Sequence, residues 1–172
     1  RIVSISYRPT VSQQKKNVKE KAVRVVKEYD ERRNEFLDVA QEFFYSKGYE
    51  QTSVQEIIDT IGVAKGTFYH YFASKVELLD ALVMRLGAQG VTMLQPLVAD
   101  PSLRAVEKLA RFFEQMNTFE TANREFLIEA MRILYRGENA LLRVKVQTQS
   151  IARLTPLLAQ IIHQGIEEGA FT

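Results

Sequence analysis

Cysteine is absent from this chain of 172 residues, so neither a disulfide framework nor a thiolate metal site is available. This absence suits a protein of the cytoplasm without requiring that location. No run of about 18 or more apolar residues occurs, so we expect no membrane-spanning helix and no membrane partner. The apolar stretch at residues 2–5 is too short and too broken for a secretory signal sequence.

Signs of a catalytic site are equally scarce. The chain has two histidines, His70 and His163, and neither a glycine-rich phosphate loop nor a nucleophile elbow. We interpret His163 as an ordinary histidine of a helix. The sequence therefore argues against an enzyme, and we expect no catalytic residue, no metal site and no cofactor.

Strand signals are nearly absent beyond the first few residues, whereas apolar residues recur at helical spacing along almost the whole chain. No internal repeat or low-complexity segment occurs. A chain of 172 residues can form one or two domains with a sizeable core. The pattern predicts an all-α protein.

The clearest motif begins at Ser53. Ser53 and Glu56 have the spacing of a capping box, which predicts the start of a short helix. Gly62 can end that helix because glycine takes the left-handed conformation at little cost. Residues 65–72 predict a second short helix after a tight turn. This layout is that of a helix-turn-helix motif, whose second helix enters the major groove of DNA.

The second helix of the motif has two different faces. Its aromatic residues share one face and are predicted to enter a core; they are Phe68, Tyr71 and Phe72. Gly66 lies early in this helix, where glycine costs about 1 kcal/mol relative to alanine. Two explanations for Gly66 are open, namely close approach of a DNA strand to the backbone, or a tight contact between helices. A second Ser-x-x-Glu box, from Ser74 to Glu77, opens the following helix.

The segment from Gly62 to Phe72, continued by Ser74, Lys75 and residues 77–79, resembles the DNA-binding signature of TetR-family transcriptional regulators. The similarity extends back to a helix that begins near residue 30. It implies an N-terminal three-helix helix-turn-helix DNA-binding domain followed by an antiparallel helical bundle for ligand binding and dimerisation. One departure is Ala64, where many family members have a serine that can cap the helix and contact a phosphate.

The resemblance also implies contacts with double-stranded operator DNA. Lys65 and the Gly66 backbone are expected to approach base edges, and the other residues mainly phosphate oxygens. The residues expected to contact DNA are Thr52, Ser53, Lys65, Gly66, Thr67, Tyr69, His70 and Lys75.

Charge is distributed unevenly along the chain. Residues 1–28 contain eight Lys or Arg and two Glu, whereas residues 30–80 contain five Lys or Arg and ten Asp or Glu. Residues 1–10 look irregular, and a basic helix is predicted from Ser12 onward. This helix is either a solvated extension or an arm that follows the DNA backbone or an adjacent groove, where it would supply the attraction to phosphates that the acidic domain lacks.

We therefore divide the chain into a basic N-terminal extension (residues 1–28), a DNA-binding domain (29–76) and a helical regulatory domain (77–172). In the regulatory domain, Asp100-Pro101-Ser102 predicts a helix start. Gly87 and Gly90 predict a kink or a close crossing of helices. Several aromatic and methionine side chains are candidates for the wall of a ligand pocket, although each also fits an ordinary core: Phe112, Phe113, Met116, Phe126, Met131 and Tyr135.

The sequence as a whole predicts a ligand-responsive DNA-binding regulator, most simply a repressor released by a small apolar or amphipathic inducer. The resemblance implies a homodimer in the cytoplasm. Family members carry two further helices in the dimer interface, so the regulatory domain is expected to be short at its C-terminus. The alternative is a helical adaptor or interaction protein of the same fold that no longer binds DNA. The acidic balance of residues 30–80 slightly favours this alternative, whereas the presence of Lys65, Tyr69, His70 and Lys75 argues against it.

Overall fold

The computed structural model describes the backbone of residues 11–172 and the side chains of residues 28–172. This part of the chain consists of helices and their connections, and it contains no strand. The helices are α1 (Val11–Lys47), α2 (Val54–Ile61), α3 (Lys65–Tyr71), α4 (Lys75–Ala99), α5 (Ala105–Ala122), α6 (Arg124–Leu134) and α7 (Ala140–Glu167), with a 3-10 turn at Gly137–Asn139 before α7. The predicted all-α architecture is confirmed.

Helix α1 runs without a break through the boundary proposed at residue 28. The basic helix predicted from Ser12 onward is therefore confirmed for the backbone, and it is continuous with the helix expected to begin near residue 30. The irregular segment predicted at residues 1–10, and any DNA contact of the side chains of residues 1–27, lie outside the described residues.

The caps predicted for the helix-turn-helix are present. The Ser53 hydroxyl accepts the Glu56 N–H at 3.1 Å, and the Glu56 carboxylate accepts the Ser53 N–H at 2.8 Å. Gly62 ends α2 with φ 74°, and Gly48 follows α1 with φ 88°. Both values lie in the left-handed region, where a Cβ atom would be strained. These local signals fix where α1 ends and where α2 begins and ends.

Helix α4 begins with a variation on the predicted capping box. The Ser74 hydroxyl accepts the Glu77 N–H, but the Glu77 carboxylate accepts the N–H of Ala73 instead of that of Ser74. At Gly90, a Cβ atom would lie 3.4 Å from the Phe119 ring of α5. Of the kink and the close crossing predicted for Gly87 and Gly90, the structure thus shows a contact between helices at Gly90, at ordinary van der Waals distance.

Helix α5 begins later than the Asp100-Pro101-Ser102 signal predicts. The Asp100 carboxylate accepts the N–H and the hydroxyl of Ser102, which closes a turn, and the helix starts at Ala105. The Ala105 N–H is accepted by the carboxylate of Glu168, just beyond α7, at 3.1 Å. The cap thus comes from a residue distant in sequence, which no local pattern reveals.

Two apolar cores hold the helices together. The first combines residues of the helix-turn-helix region with residues of α6 and α7, and its members include Phe36, Ile57, Phe68, Phe72, Leu82, Phe126, Ile133 and Val146. The second lies between α4, α5 and α7 and includes Leu94, Phe112, Leu157 and Ile161. The DNA-binding region and α6 therefore share a core. Among the described helices, none is both long enough and apolar enough to cross a membrane.

Candidate functional site

Helix α3 is fixed on one side by aromatic packing. Phe68 is fully buried, and its ring lies edge-on to that of Phe36 in α1 with 5.6 Å between centroids. Phe72 is also buried, and Tyr71 packs against Tyr29 of α1 with 4.7 Å between ring centroids. The predicted aromatic face is confirmed. Because these rings set the rotation of α3 about its axis, they also decide which side chains face solvent.

The opposite face of α3 is open to solvent. Tyr69 is 50% exposed, Lys65 and His70 are exposed, and Thr67 is half-buried. A Cβ atom built on Gly66 would have no atom of the described residues within 4 Å. A tight contact between helices of this part of the chain therefore does not explain Gly66, and close approach of another molecule is the explanation that remains.

Thr52 lies inside the structure and not on the predicted DNA-facing surface. Its side chain is 1% exposed, and its hydroxyl donates to the Gly48 carbonyl at 2.9 Å. Its backbone N–H donates to the Tyr49 carbonyl at 3.2 Å. The structure thus contradicts the expected phosphate contact of Thr52, because both donors are used within the turn before α2.

The ammonium group of Lys75 is also used within the chain. Its Nζ donates to the carbonyls of Tyr49 at 2.9 Å and Thr52 at 2.8 Å, and it lies 4.1 Å from the centroid of the Tyr49 ring. Partial burial removes water from the ammonium group and lowers the pKa of Lys75. The structure therefore assigns Lys75 to fastening α4 to the turn before α2, where a phosphate contact was expected.

Ser53 remains exposed, but a carboxylate lies beside it. Its N–H is engaged by Glu56, which also pairs with Lys47 at 2.6 Å. The hydrogen bonds from Lys47 and Ser53 lower the pKa of Glu56 to about 2. Of the donors predicted at the start of α2, the Ser53 hydroxyl is the one still placed to reach a phosphate.

An apolar cavity of about 190 Å³ lies between α4, α5, α6 and α7. Its walls combine aliphatic, methionine and phenylalanine side chains with a few polar groups, and they include Val83, Met84, Leu86, Met116, Phe119, Leu127, Met131, Val146, Ser150 and Arg153. Helices distant in sequence supply these walls, so the spacing within one helix gives no indication of which residues meet.

The candidate pocket residues are divided by the structure. Met116 and Met131 line the apolar cavity. The aromatic candidates do not, because Phe112 and Phe126 are buried in the two cores, while Phe113 and Tyr135 are 59% and 58% exposed. Helical spacing showed which of these side chains share a face but not which neighbour that face meets. The prediction for the aromatic candidates is therefore corrected.

Arg153 of α7 lies at the junction of the apolar cavity with a second, polar one. Its Nη1 donates to the Met84 carbonyl of α4 at 2.7 Å. A Cβ atom on Gly87 would lie 3.7 Å from this Nη1, which is an ordinary van der Waals distance. The second cavity, of about 420 Å³, lies between α1, α3, α4 and α7. Its charged lining residues are Arg33, Glu77, Asp80, Arg85, Lys145 and Arg153.

The acidic and basic groups of this polar cavity are partly paired. Asp80 is buried. One of its carboxylate oxygens binds Lys145, and the other has no hydrogen-bond partner within the part of the chain that the structure describes. Arg85 pairs with Asp38 of α1 at 2.6 Å. The lining thus contains four basic and two acidic side chains, and two of the basic ones, Lys145 and Arg85, are paired with carboxylates.

Residues 36–82 match the sequence profile of the family described as "Bacterial regulatory proteins, tetR family". Among curated proteins, the HTH-type transcriptional repressor KstR2 of Mycobacterium tuberculosis is 29% identical over 152 residues, which cover 86% of this chain and 73% of that protein. The HTH-type transcriptional activator FasR of Mycolicibacterium smegmatis is 43% identical over 56 residues, which cover 33% of this chain and 26% of that protein.

Solved structures agree with these sequence matches. The transcriptional regulator FadR from Bacillus subtilis, in complex with stearoyl-CoA, is 26% identical with a TM-score of 0.62, over 80% of this chain and 73% of that one. A TetR/AcrR-family regulator from Thermobifida fusca has a TM-score of 0.63 at 24% identity, over 83% of this chain and 74% of that one, and it supports the fold. The helix-turn-helix region therefore matches the TetR family of bacterial regulators, and the chain as a whole is similar in sequence to an HTH-type transcriptional repressor and in fold to a TetR/AcrR-family regulator.

Proposed function

We propose that this protein is a ligand-responsive transcriptional repressor whose helix α3 reads double-stranded operator DNA. The observation that carries the proposal is the two-sided construction of α3, in which Phe68 and Phe72 are buried while Lys65, Tyr69 and the open Gly66 backbone face outward. Repression is favoured over activation because the similarity to the repressor KstR2 covers 86% of this chain, whereas that to the activator FasR covers 33%.

The DNA-binding proposal is tested by fluorescence anisotropy with duplexes from the region upstream of the gene, compared with random-sequence duplexes across a salt series. We expect Lys65→Ala combined with Tyr69→Ala to weaken selective binding at least tenfold, since a good base contact is worth about 1–3 kcal/mol. A matched control, Arg111→Ala with Tyr135→Ala, removes one exposed cation and one exposed tyrosine from the bundle and should bind as the wild type does.

Two results of this titration would contradict the proposal. If the double variant of α3 retained wild-type affinity, the reading surface would lie elsewhere. If the wild-type protein bound no duplex even at low salt while sedimenting as a dimer, the alternative of an adaptor that has lost DNA binding would be favoured.

The proposal includes a homodimer, because two reading heads match two half-sites about one helical turn apart or a multiple of it. Apolar side chains are exposed along α7, as a contact surface for a second copy would require: Leu141, Val144, Ile151, Ile162 and Ile166. Sedimentation equilibrium at micromolar concentration should give the mass of a dimer, and a monomer under these conditions would contradict this part of the proposal.

The ligand we propose is an acyl-CoA thioester or a similar molecule with an apolar chain and an anionic head. FadR from Bacillus subtilis, 26% identical, has been solved with stearoyl-CoA. In this chain the apolar cavity, of about 190 Å³, suits part of an acyl chain, and the basic side chains that line the polar cavity suit phosphate groups. The two cavities have Met84 and Arg153 in common, so they adjoin each other, as the two parts of one ligand would require.

Calorimetric titration with stearoyl-CoA, stearate and coenzyme A tests this ligand class. We expect stearoyl-CoA to bind most tightly and to release the operator. Replacing Arg153 with alanine should weaken binding about tenfold, because a hydrogen bond to a charged group is worth about 1.5–3 kcal/mol, whereas Arg111→Ala should have no effect. Equal release by stearate, which keeps the apolar chain and a carboxylate head, would show that the phosphate groups of coenzyme A are not needed. Absence of binding by all three compounds would exclude the ligand class.

A further inference from the structure

Helix α6 has one side on the apolar cavity and another on the DNA-binding region. Leu127 and Met131 line the cavity. Phe126 is buried and stacks on Tyr45 of α1 with 5.0 Å between ring centroids, and the Tyr45 hydroxyl donates to Asn123 at 2.8 Å. Any displacement of α6 by a molecule in the cavity is therefore applied directly to the end of α1.

The most specific contact of α6 with the DNA-binding region is made by Glu129. Its Oε1 accepts the backbone N–H of Tyr49 at 2.8 Å in a partly buried position. A Cβ atom on Gly48 would lie 3.1 Å from the same oxygen, so the glycine permits the close approach. The neighbouring carbonyls of Tyr49 and Thr52 are held by Lys75. The turn before α2 is thus held on its N–H side by α6 and on its carbonyl side by α4.

Other contacts between α6 and this turn have less influence. Arg136, just beyond α6, pairs with Glu50, but both side chains are largely exposed, and exposed ion pairs contribute little. The Glu129 contact differs because it satisfies a backbone donor that has little access to water, and because one carboxylate oxygen fixes the direction of the N–H group. The position of the turn therefore depends on the position of Glu129.

We infer that Glu129 is a positioning residue that couples the regulatory cavity to the DNA-binding helices. A molecule that moves the cavity side of α6 moves the Glu129 carboxylate with it, and the turn that begins α2 follows. Because α2 packs beside α3, the reading face then loses its alignment with the operator. The inference rests on the proposed function, since it requires that a ligand occupies the cavity and that α3 binds DNA.

The test compares the wild type with Glu129→Ala, Glu129→Gln and Glu125→Ala, the last removing an exposed glutamate from the same helix. Operator affinity is measured with and without saturating stearoyl-CoA, and binding of stearoyl-CoA is measured separately. Hydrogen exchange is followed for peptides that cover residues 45–61. Glutamine retains a side-chain oxygen that can accept the Tyr49 N–H, so it tests the hydrogen bond separately from the charge.

For Glu129→Ala we expect the affinity for stearoyl-CoA to stay within about threefold of the wild-type value. The factor by which stearoyl-CoA lowers operator affinity should become at least about fivefold smaller, since fivefold is the low end of ordinary coupling between sites. Exchange in residues 45–61 should be about tenfold faster, since the turn opens more readily without its acceptor. Glu129→Gln and Glu125→Ala should retain the wild-type values of both measurements.

Two results would overturn the inference. In the first, Glu129→Ala weakens operator binding but leaves the ligand-induced change intact, which would make Glu129 a stabilising residue only. In the second, exchange at residues 45–61 is the same in Glu129→Ala and Glu129→Gln. If the wild type does not respond to stearoyl-CoA, the failure belongs to the proposed ligand, and the exchange measurement alone decides whether Glu129 positions the turn.

Discussion

Replacing Gly66 with alanine should stabilise the protein and at the same time impair DNA binding. The added Cβ atom has no atom of the described residues within 4 Å, so no steric penalty arises in the free protein. Alanine is favoured over glycine in helices by about 0.5–1 kcal/mol. For a chain of this size, such a gain raises Tm by about 1–4 °C.

The same methyl group should obstruct a DNA strand that approaches the Gly66 backbone. Forcing an extra methyl group into a packed contact typically costs about 1–3 kcal/mol. Operator affinity should then fall about 5- to 150-fold. Because the expected effects on stability and on operator affinity have opposite signs, a loss of affinity cannot be explained by a loss of folding. Most other substitutions in α3 do not allow this distinction.

Thermal unfolding and operator anisotropy on the same preparation measure the two effects. Gly87→Ala is the matched control, because Gly87 lies inside α4 with its Cβ position in ordinary contact, 3.7 Å from the nearest Arg153 nitrogen. It should gain a similar stability and bind the operator as the wild type does. If Gly66→Ala gains stability and also retains full operator affinity, the explanation of Gly66 by close approach of DNA is refuted.

Two further predictions concern the groups around the start of α2. Lys75→Met should lower the free energy of unfolding, measured in urea, by about 1–2 kcal/mol, because it leaves the carbonyls of Tyr49 and Thr52 without their donor. If stability is unchanged and the slope of log affinity for DNA against log salt concentration falls by about one, Lys75 is instead a phosphate ligand. Glu56 has its pKa lowered from 4.5 to about 2 in the folded state, so its contribution to stability is present above pH 4.5 and is lost as the pH falls toward 2. The difference in unfolding free energy between wild type and Glu56→Gln should therefore be constant from pH 7 to about 5 and shrink below it, and parallel curves down to pH 3 would contradict this.

Features that depend on neighbours in sequence could be predicted. The Ser53–Glu56 box and the left-handed Gly62 require residues within one turn of helix, and both occur as expected. The division of α3 into a buried aromatic face and an exposed face follows from helical spacing, which needs no knowledge of the rest of the fold.

Features that depend on distant partners could not be predicted. Nothing near Lys75 in sequence indicates that its ammonium group binds carbonyls 23 and 26 residues earlier. Nothing near Glu129 indicates a backbone donor 80 residues away. The phosphate contact predicted for Thr52 is wrong for a local reason. Threonine can turn its hydroxyl back to the carbonyl four residues earlier instead of presenting it to solvent.

The boundary proposed between residues 76 and 77 separates two proposed functions, but the apolar core is continuous across it. Phe36, Phe68 and Phe72 of the DNA-binding region lie in the same core as Phe126 and Ile133 of α6. A well-packed core does not deform continuously, so a shift of α6 has to be accommodated by buried side chains that also pack against α3. In the proposed mechanism no flexible linker is needed between the cavity and α3, because Val83, Leu86 and Val146 of the cavity wall belong to the same core as Phe68 and Phe72. The Glu129 contact adds direction to this coupling, since it ties the same helix to the turn from which α2 begins.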